Sequence, residues 1–133
     1  MAGLDTNVLV RWIVDDEPRQ AARVQRLFEK SHEQASPLFV PSTVMLELEW
    51  VLRSRYEFDK STVLGAFNAL LETQELEFQD EPALERALGF YRQNSADFAD
   101  CLHAGQYGSA GRVPMVTFDR TAARLPGVEP LKT

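Results

Sequence analysis

A chain of 133 residues, 44% apolar and 26% charged, is expected to form one globular domain over residues 1–133 with room for a substantial core. Its formal net charge of −6 argues against a protein that grips nucleic acid through a broad basic surface. No apolar run approaches the roughly 20 residues of a membrane span, and the two isolated histidines, His32 and His103, lack zinc-ligand spacing.

In chain order, residues 2 to 5 read as a very short strand, and helical spacing follows from Val8 through Ile13. "DDEPRQAARVQRLFEK" carries helix-start signals, with acids first, Pro18 near the first turn, then Ala22, Val24, Leu27 and Phe28. "SPLFVPS" predicts a short strand between prolines. Ser42 or Thr43 is then placed to cap a helix in "TVMLELEWVLRSRY", and Asp59 or Ser61 to cap another in "FDKSTVLGAFNALLET". "ELEFQD" predicts a strand of a few residues. Pro82 starts the helix "PALERALGFYRQN", and "SADFADCLHAGQYGSAG" supplies one more, ending in glycines. "VPMVTFD" is the clearest strand, and "VEPL" a last edge strand. Strands alternating with helices indicate an α/β fold, a sandwich built around a short, mainly parallel sheet flanked by helices. In such sheets ligands gather beyond the carboxyl ends of the strands.

Five acids stand out against this frame. Asp5 ends the first strand and Asp119 the clearest one, and each is equally placed to cap the turn that follows it. A carboxylate interrupting an apolar element is costly if buried without a partner or a cation. On the helix "TVMLELEWVLR", Val44, Leu48, Val51 and Leu52 form an apolar stripe, with Glu47 beside it and Glu49 turned away, one turn before Arg53. Glu47 is therefore the expected inward carboxylate, against the alternative that both glutamates face water. Asp97 and Asp100 share one face of the first turns of their helix. There the helix dipole favours negative charge, although the two acids repel unless a cation lies between them. All five are expected to converge at one carboxyl edge, where clustered carboxylates suit hard divalent cations, Mg²⁺ or Mn²⁺. Such ions activate water and stabilise charge on a phosphate. Removing five acids from −6 leaves −1, so most of the excess acidity is accounted for as metal-binding capacity.

"LDTNVLVRW", "LELEWVLRS", "ADFAD" and "TFDR" occur in the order that PIN domains use, and over essentially its whole length the chain resembles that family, in particular its VapC-type toxins. The resemblance implies a three-layer PIN-like sandwich and a Mg²⁺-dependent endoribonuclease that cuts RNA and arrests translation. It also implies a cognate antitoxin that blocks the site, and pairing as a homodimer. Asp5, Glu47, Asp100 and Asp119 match the acidic site, with Asp97 as a further acid of the "DFAD" subgroup. Thr6, Asn7 and Thr117 match the polar residues that orient those carboxylates. The doubled glutamate of "LELE" departs from the pattern, as do Cys101 and His103, and none of these removes an acid.

On the residues themselves, Asp5 and Asp100, helped by Asp97 or Asp119, would hold a metal, with Glu47 near the attacking water as ligand or base. One ion or two sharing the acids are both compatible with this set. Phosphate contacts fall to cations such as Arg11, Arg112, Arg120 and Arg124, of which Arg11 and Arg120 lie nearest the acids in sequence.

Rival readings fit less well. A receiver domain needs paired acids after the first strand and a lysine near the last ones. A haloacid-dehalogenase-type phosphatase needs a second Asp where Asn7 stands, and an RNase-H-type nuclease opens with an antiparallel hairpin. A non-catalytic PIN-like interaction module is the remaining alternative. The lone cysteine excludes an internal disulfide, and nothing at the N-terminus resembles a signal peptide, so a reducing cytoplasm is the expected compartment.

Overall fold

The structure is a computed structural model and describes residues 2–132. The chain divides into two compact units, with the boundary between Gln79 and Asp80.

In the first unit, Phe39 N–H donates to Ala2 O at 2.7 Å and Leu4 N–H to Phe39 O at 2.9 Å. These bonds lay the opening segment parallel to β1 (Leu38–Val40), through a bridge between Gly3 and Phe39. On its other side β1 pairs in parallel with β2 (Leu76–Phe78), Leu38 opposite Leu76 and Val40 opposite Phe78. Three parallel segments therefore end on one edge, from which Asp5, Pro41 and Gln79 emerge. The helices of this unit are α1 (Thr6–Ile13), α2 (Pro18–Gln34), α3 (Ser42–Ser54) and α4 (Lys60–Leu71). Leu9, Val10, Val24, Phe28, Val40, Met45, Leu48, Leu52, Val63 and Phe67 are buried. Trp12 stacks on Phe28 with ring centroids 4.1 Å apart.

Asp59 caps α4 as expected. Its Oδ1 accepts from the Thr62 hydroxyl at 2.7 Å and the Thr62 N–H at 2.8 Å, and these bonds hold the carboxyl below the usual carboxylate range. The start of α3 differs from expectation. Neither Ser42 nor Thr43 caps it; Pro41 is the cap residue, and the Ser42 N–H is satisfied by the Gln79 side chain at 3.0 Å. A side chain arriving from the end of β2 has replaced the local cap.

In the second unit, α5 (Glu81–Gln93) is capped by Asp80, and Pro82 lies in its first turn, where a missing N–H costs nothing. It packs on α6 (Phe98–Ser109), with an edge-on contact between Tyr91 and Phe98 at 5.4 Å. The helices approach closely at Gly105, where a Cβ would lie 2.5 Å from Ala83 O. After α6 the chain turns through Gly111, with φ of 67°, into β3 (Met115–Thr117). A short 3₁₀ turn at Ala122–Arg124 leads to β4 (Val128–Pro130), which pairs in parallel with β3, Met115 opposite Val128.

The α/β class with short parallel strands is as read from the sequence. Among the described residues the four strands are each three residues long, including the one with the clearest sequence signal. Among the described residues no helix is long and apolar enough to cross a membrane.

Candidate active site

Asp5 leaves the first segment in extended backbone (φ −81°, ψ 159°), and its Oδ1 accepts the Thr6 N–H at 2.7 Å. Asp5 is exposed, between buried Leu4 and Thr6, so no desolvation penalty attaches to it. The cap and ligand readings prove compatible. The cap fixes the rotamer through Oδ1, while Oδ2 accepts no hydrogen bond among the described residues.

Asp97 and Asp119 repeat the device in the second unit. Asp97 Oδ1 accepts the Asp100 N–H at 2.9 Å and caps α6. Asp119 Oδ1 accepts from Thr121 N at 2.8 Å and Ala122 N at 2.9 Å, opening the 3₁₀ turn. Its own N–H donates to Thr117 Oγ1 at 3.0 Å, which ties the carboxylate to the end of β3. In each case backbone N–H groups hold Oδ1, while Oδ2 accepts no hydrogen bond among the described residues.

Asp100 is different. It lies half-buried in the first turn of α6, and its carboxyl is held above the usual carboxylate range. Desolvation is the largest cause, followed by the charge and hydrogen bonding of Asp97 and the charge of Asp119, with His103 opposing weakly. Asp97 and Asp119 thus both act on Asp100, against only the weak opposing charge of His103.

The α3 glutamates reverse the expected phase. Glu49 is buried, at 3% exposure, along with Met45, Leu48 and Leu52, whereas Val44 and Val51 are only half-buried. The apolar stripe runs through Met45 instead of Val44, which carries Glu49 inward. Burial of Glu49 is tolerated because Arg53 Nε lies 2.8 Å from its Oε2 and Nη2 3.4 Å from its Oε1. The i, i+4 spacing of this pair was visible in the sequence, but it suits a surface pair as well as a buried one. Glu47 is exposed and not inward, yet it is not simply solvated. The buried Thr6 hydroxyl donates to Glu47 Oε1, linking the "DTN" start of α1 to α3.

Asn7 is exposed and its side chain makes no hydrogen bond among the described residues. The guanidinium of Arg11 is engaged by Asp16 and, at 3.4 Å, by the Tyr56 hydroxyl, and its Nε is buried without a partner among the described residues. Arg120 is exposed and without an ion pair or hydrogen bond among the described residues, so of the two arginines it alone is free to meet a phosphate. The engagement of Arg11 by Asp16 and Tyr56 gave no sequence signal.

Among the described residues no three of His, Cys, Asp or Glu stand as a formed metal cage. The donor chemistry nevertheless fits a hard divalent cation, since every candidate presents carboxylate oxygen and three of the acids keep one oxygen unused.

Asp5 follows the opening segment and Asp119 follows β3, a threonine holds Glu47, and Asp97 and Asp100 open a helix, all within an α/β fold. The sequence model of the PIN domain matches residues 3–128, and the chain belongs to that family. It is also 25% identical over 122 residues, 92% of this chain and 90% of the relative, to a VapC ribonuclease of Aquifex aeolicus (strain VF5).

Proposed function

We propose that this chain is a single PIN-like domain acting as a metal-dependent endoribonuclease, the toxin of a toxin–antitoxin pair, which cuts RNA in the cytoplasm and thereby inhibits translation. The observation that carries this reading is the half-buried Asp100 carboxylate, whose burial and the charges of Asp97 and Asp119 disfavour its ionised form, a cost that a divalent cation would relieve. Family membership and the likeness to a VapC ribonuclease support it.

In this reading Asp5, Asp97, Asp100 and Asp119 hold Mg²⁺, or Mn²⁺ in its place. When bound, the ion supplies a polarised water and neutralises charge on the phosphate. Glu47 takes the proton from the attacking water. The Thr6 hydroxyl occupies Oε1 and orients the carboxylate, leaving Oε2 for that proton. Thr117 fixes the backbone at Asp119, and Asn7 completes the polar surround of Asp5. Arg120 contacts a phosphate of the substrate. A cognate antitoxin occupies the acids with a cation, best an arginine, whose planar fork matches paired carboxylates. The chain pairs as a homodimer.

The α3 glutamates give a sharp test. Glu47→Gln is expected to remove most RNA cleavage without lowering the melting temperature. Glu49→Gln is expected to cost about 1.5 kcal/mol of stability, because it weakens a charge-assisted buried contact, and to keep most of the activity. Cleavage assays and melting curves on both proteins check this, and the opposite pattern would assign the catalytic role to Glu49.

The toxin reading is tested by expression. The wild-type chain alone should slow bacterial growth, Asp100→Asn should relieve the effect, and co-expression of the small protein encoded beside it should do the same. A harmless wild-type chain that binds no such neighbour is the outcome expected of a non-catalytic PIN-like interaction module.

A further inference from the structure

Phe118 is 85% exposed, while the other large exposed apolar side chains, Trp50, Tyr107, Val113, Val116 and Leu131, lie between 46% and 56%. A phenylalanine this exposed forgoes the burial that makes such a residue stabilising. Its backbone is also held on both sides. Thr117 O accepts the Leu131 N–H at 2.8 Å, Thr117 Oγ1 accepts the Asp119 N–H at 3.0 Å, and Asp119 Oδ1 accepts from Thr121 and Ala122. The ring is therefore mounted on fixed backbone one residue before a proposed metal-binding acid. Two residues further on stands Arg120, exposed and without a partner among the described residues.

We propose that Phe118 is a stacking platform for a nucleobase of single-stranded RNA next to the scissile phosphate, with Arg120 meeting the adjoining phosphate. This inference rests on the ribonuclease reading. A chain of net charge −6 is repelled as a whole by a polyanion, so contacts that do not depend on charge add to its affinity. Stacking on an aromatic face is such a contact, and every base offers a face for it. The fixed backbone leaves only the two side-chain torsions of Phe118 to be ordered when the base arrives. Val116, on the same face of β3 by strand alternation, would also suit a protein partner. The unpaired guanidinium and the neighbouring acid favour RNA.

Cleavage of an unstructured, mixed-sequence RNA oligonucleotide in Mg²⁺ tests this with Phe118→Ala, Phe118→Leu and Phe118→Trp. Phe118→Ala should raise KM about 5- to 150-fold, the span that alanine substitution of stacking aromatics produces, with kcat little changed. Phe118→Trp should keep wild-type KM, and Phe118→Leu, which retains apolar area but no π-face, should behave as Phe118→Ala. The salt dependence of KM should be the same in all four proteins, since no phosphate contact is lost. Replacing one nucleotide at a time by an abasic one should find a position that raises KM for wild type and has no further effect on Phe118→Ala. Wild-type KM in Phe118→Ala or Phe118→Leu overturns the proposal. So does an altered oligomeric state with unchanged KM, which would assign the ring to protein docking. If the wild-type chain cleaves no RNA, the ribonuclease reading falls and this inference with it; if it cleaves and the Phe118 variants match it, the inference alone falls.

Discussion

Asp5→Asn is expected to cut Mg²⁺-dependent RNA cleavage about 100- to 1,000-fold while the protein stays folded. The asparagine side-chain oxygen can still accept the Thr6 N–H, as Asp5 Oδ1 does at 2.7 Å, so the start of α1 survives. What changes is the second oxygen, which becomes an NH₂ group with no lone pair for a cation. Because Asp5 is exposed, the change buries no unsatisfied amide. Cap and ligand functions are thereby separated in one substitution, and kinetics together with a melting curve read both. Near wild-type cleavage would remove Asp5 from the site.

Gly105→Ala is expected to destabilise the protein by about 3 kcal/mol, because its Cβ would meet Ala83 O at 2.5 Å and Ala87 N at 3.2 Å, both backbone atoms of α5. Backbone cannot step aside as a side-chain end can, so α6 must move, and α6 carries Asp97 and Asp100. Gly89, in the middle of α5, supplies the control. A Cβ there meets nothing within 4 Å, and Gly89→Ala should stabilise by about 0.5–1 kcal/mol through helix propensity alone. Denaturant unfolding of the two variants should give shifts of opposite sign. Equal shifts would mean that the close approach of the two helices carries no cost.

Local signals are strong enough to place the six helices and the four strands of the described residues in their correct order. Pro82, Asp59 and Asp97 mark helix starts because capping is chemistry within one turn, and the chain alone shows it. The cap of α3 was hidden because its donor is satisfied by Gln79, a residue 37 positions away. The phase of α3 was misread for a related reason. Val44 and Met45 are both apolar, so hydrophobic spacing alone does not choose between stripes that differ by one residue. The choice falls to Arg53, which neutralises a buried Glu49. Thr6 reaching Glu47 and Tyr56 reaching Arg11 join residues 41 and 45 positions apart, and no pattern along the chain encodes such pairs. Asp5, Asp97 and Asp119 are legible because each sits at a junction where the backbone turns, and each caps that junction through Oδ1.

Thermal melts of wild type and Asp100→Asn, with and without Mg²⁺, test the metal-binding carboxylate account most directly. Because Asp100 is held above its usual range, the folded state binds more protons than the unfolded state as pH rises through that interval, and stability is lost there. At neutral pH the penalty is fully present in metal-free wild type and absent from Asp100→Asn. The variant should therefore melt higher than wild type without metal, with the gap closing as pH falls below the carboxylate range. Mg²⁺ should stabilise wild type by about 2.7 kcal/mol at a hundredfold excess over its dissociation constant, and Asp100→Asn by clearly less. A wild-type melting curve unmoved by millimolar Mg²⁺, together with an Asp100→Asn variant that melts lower, would contradict the account.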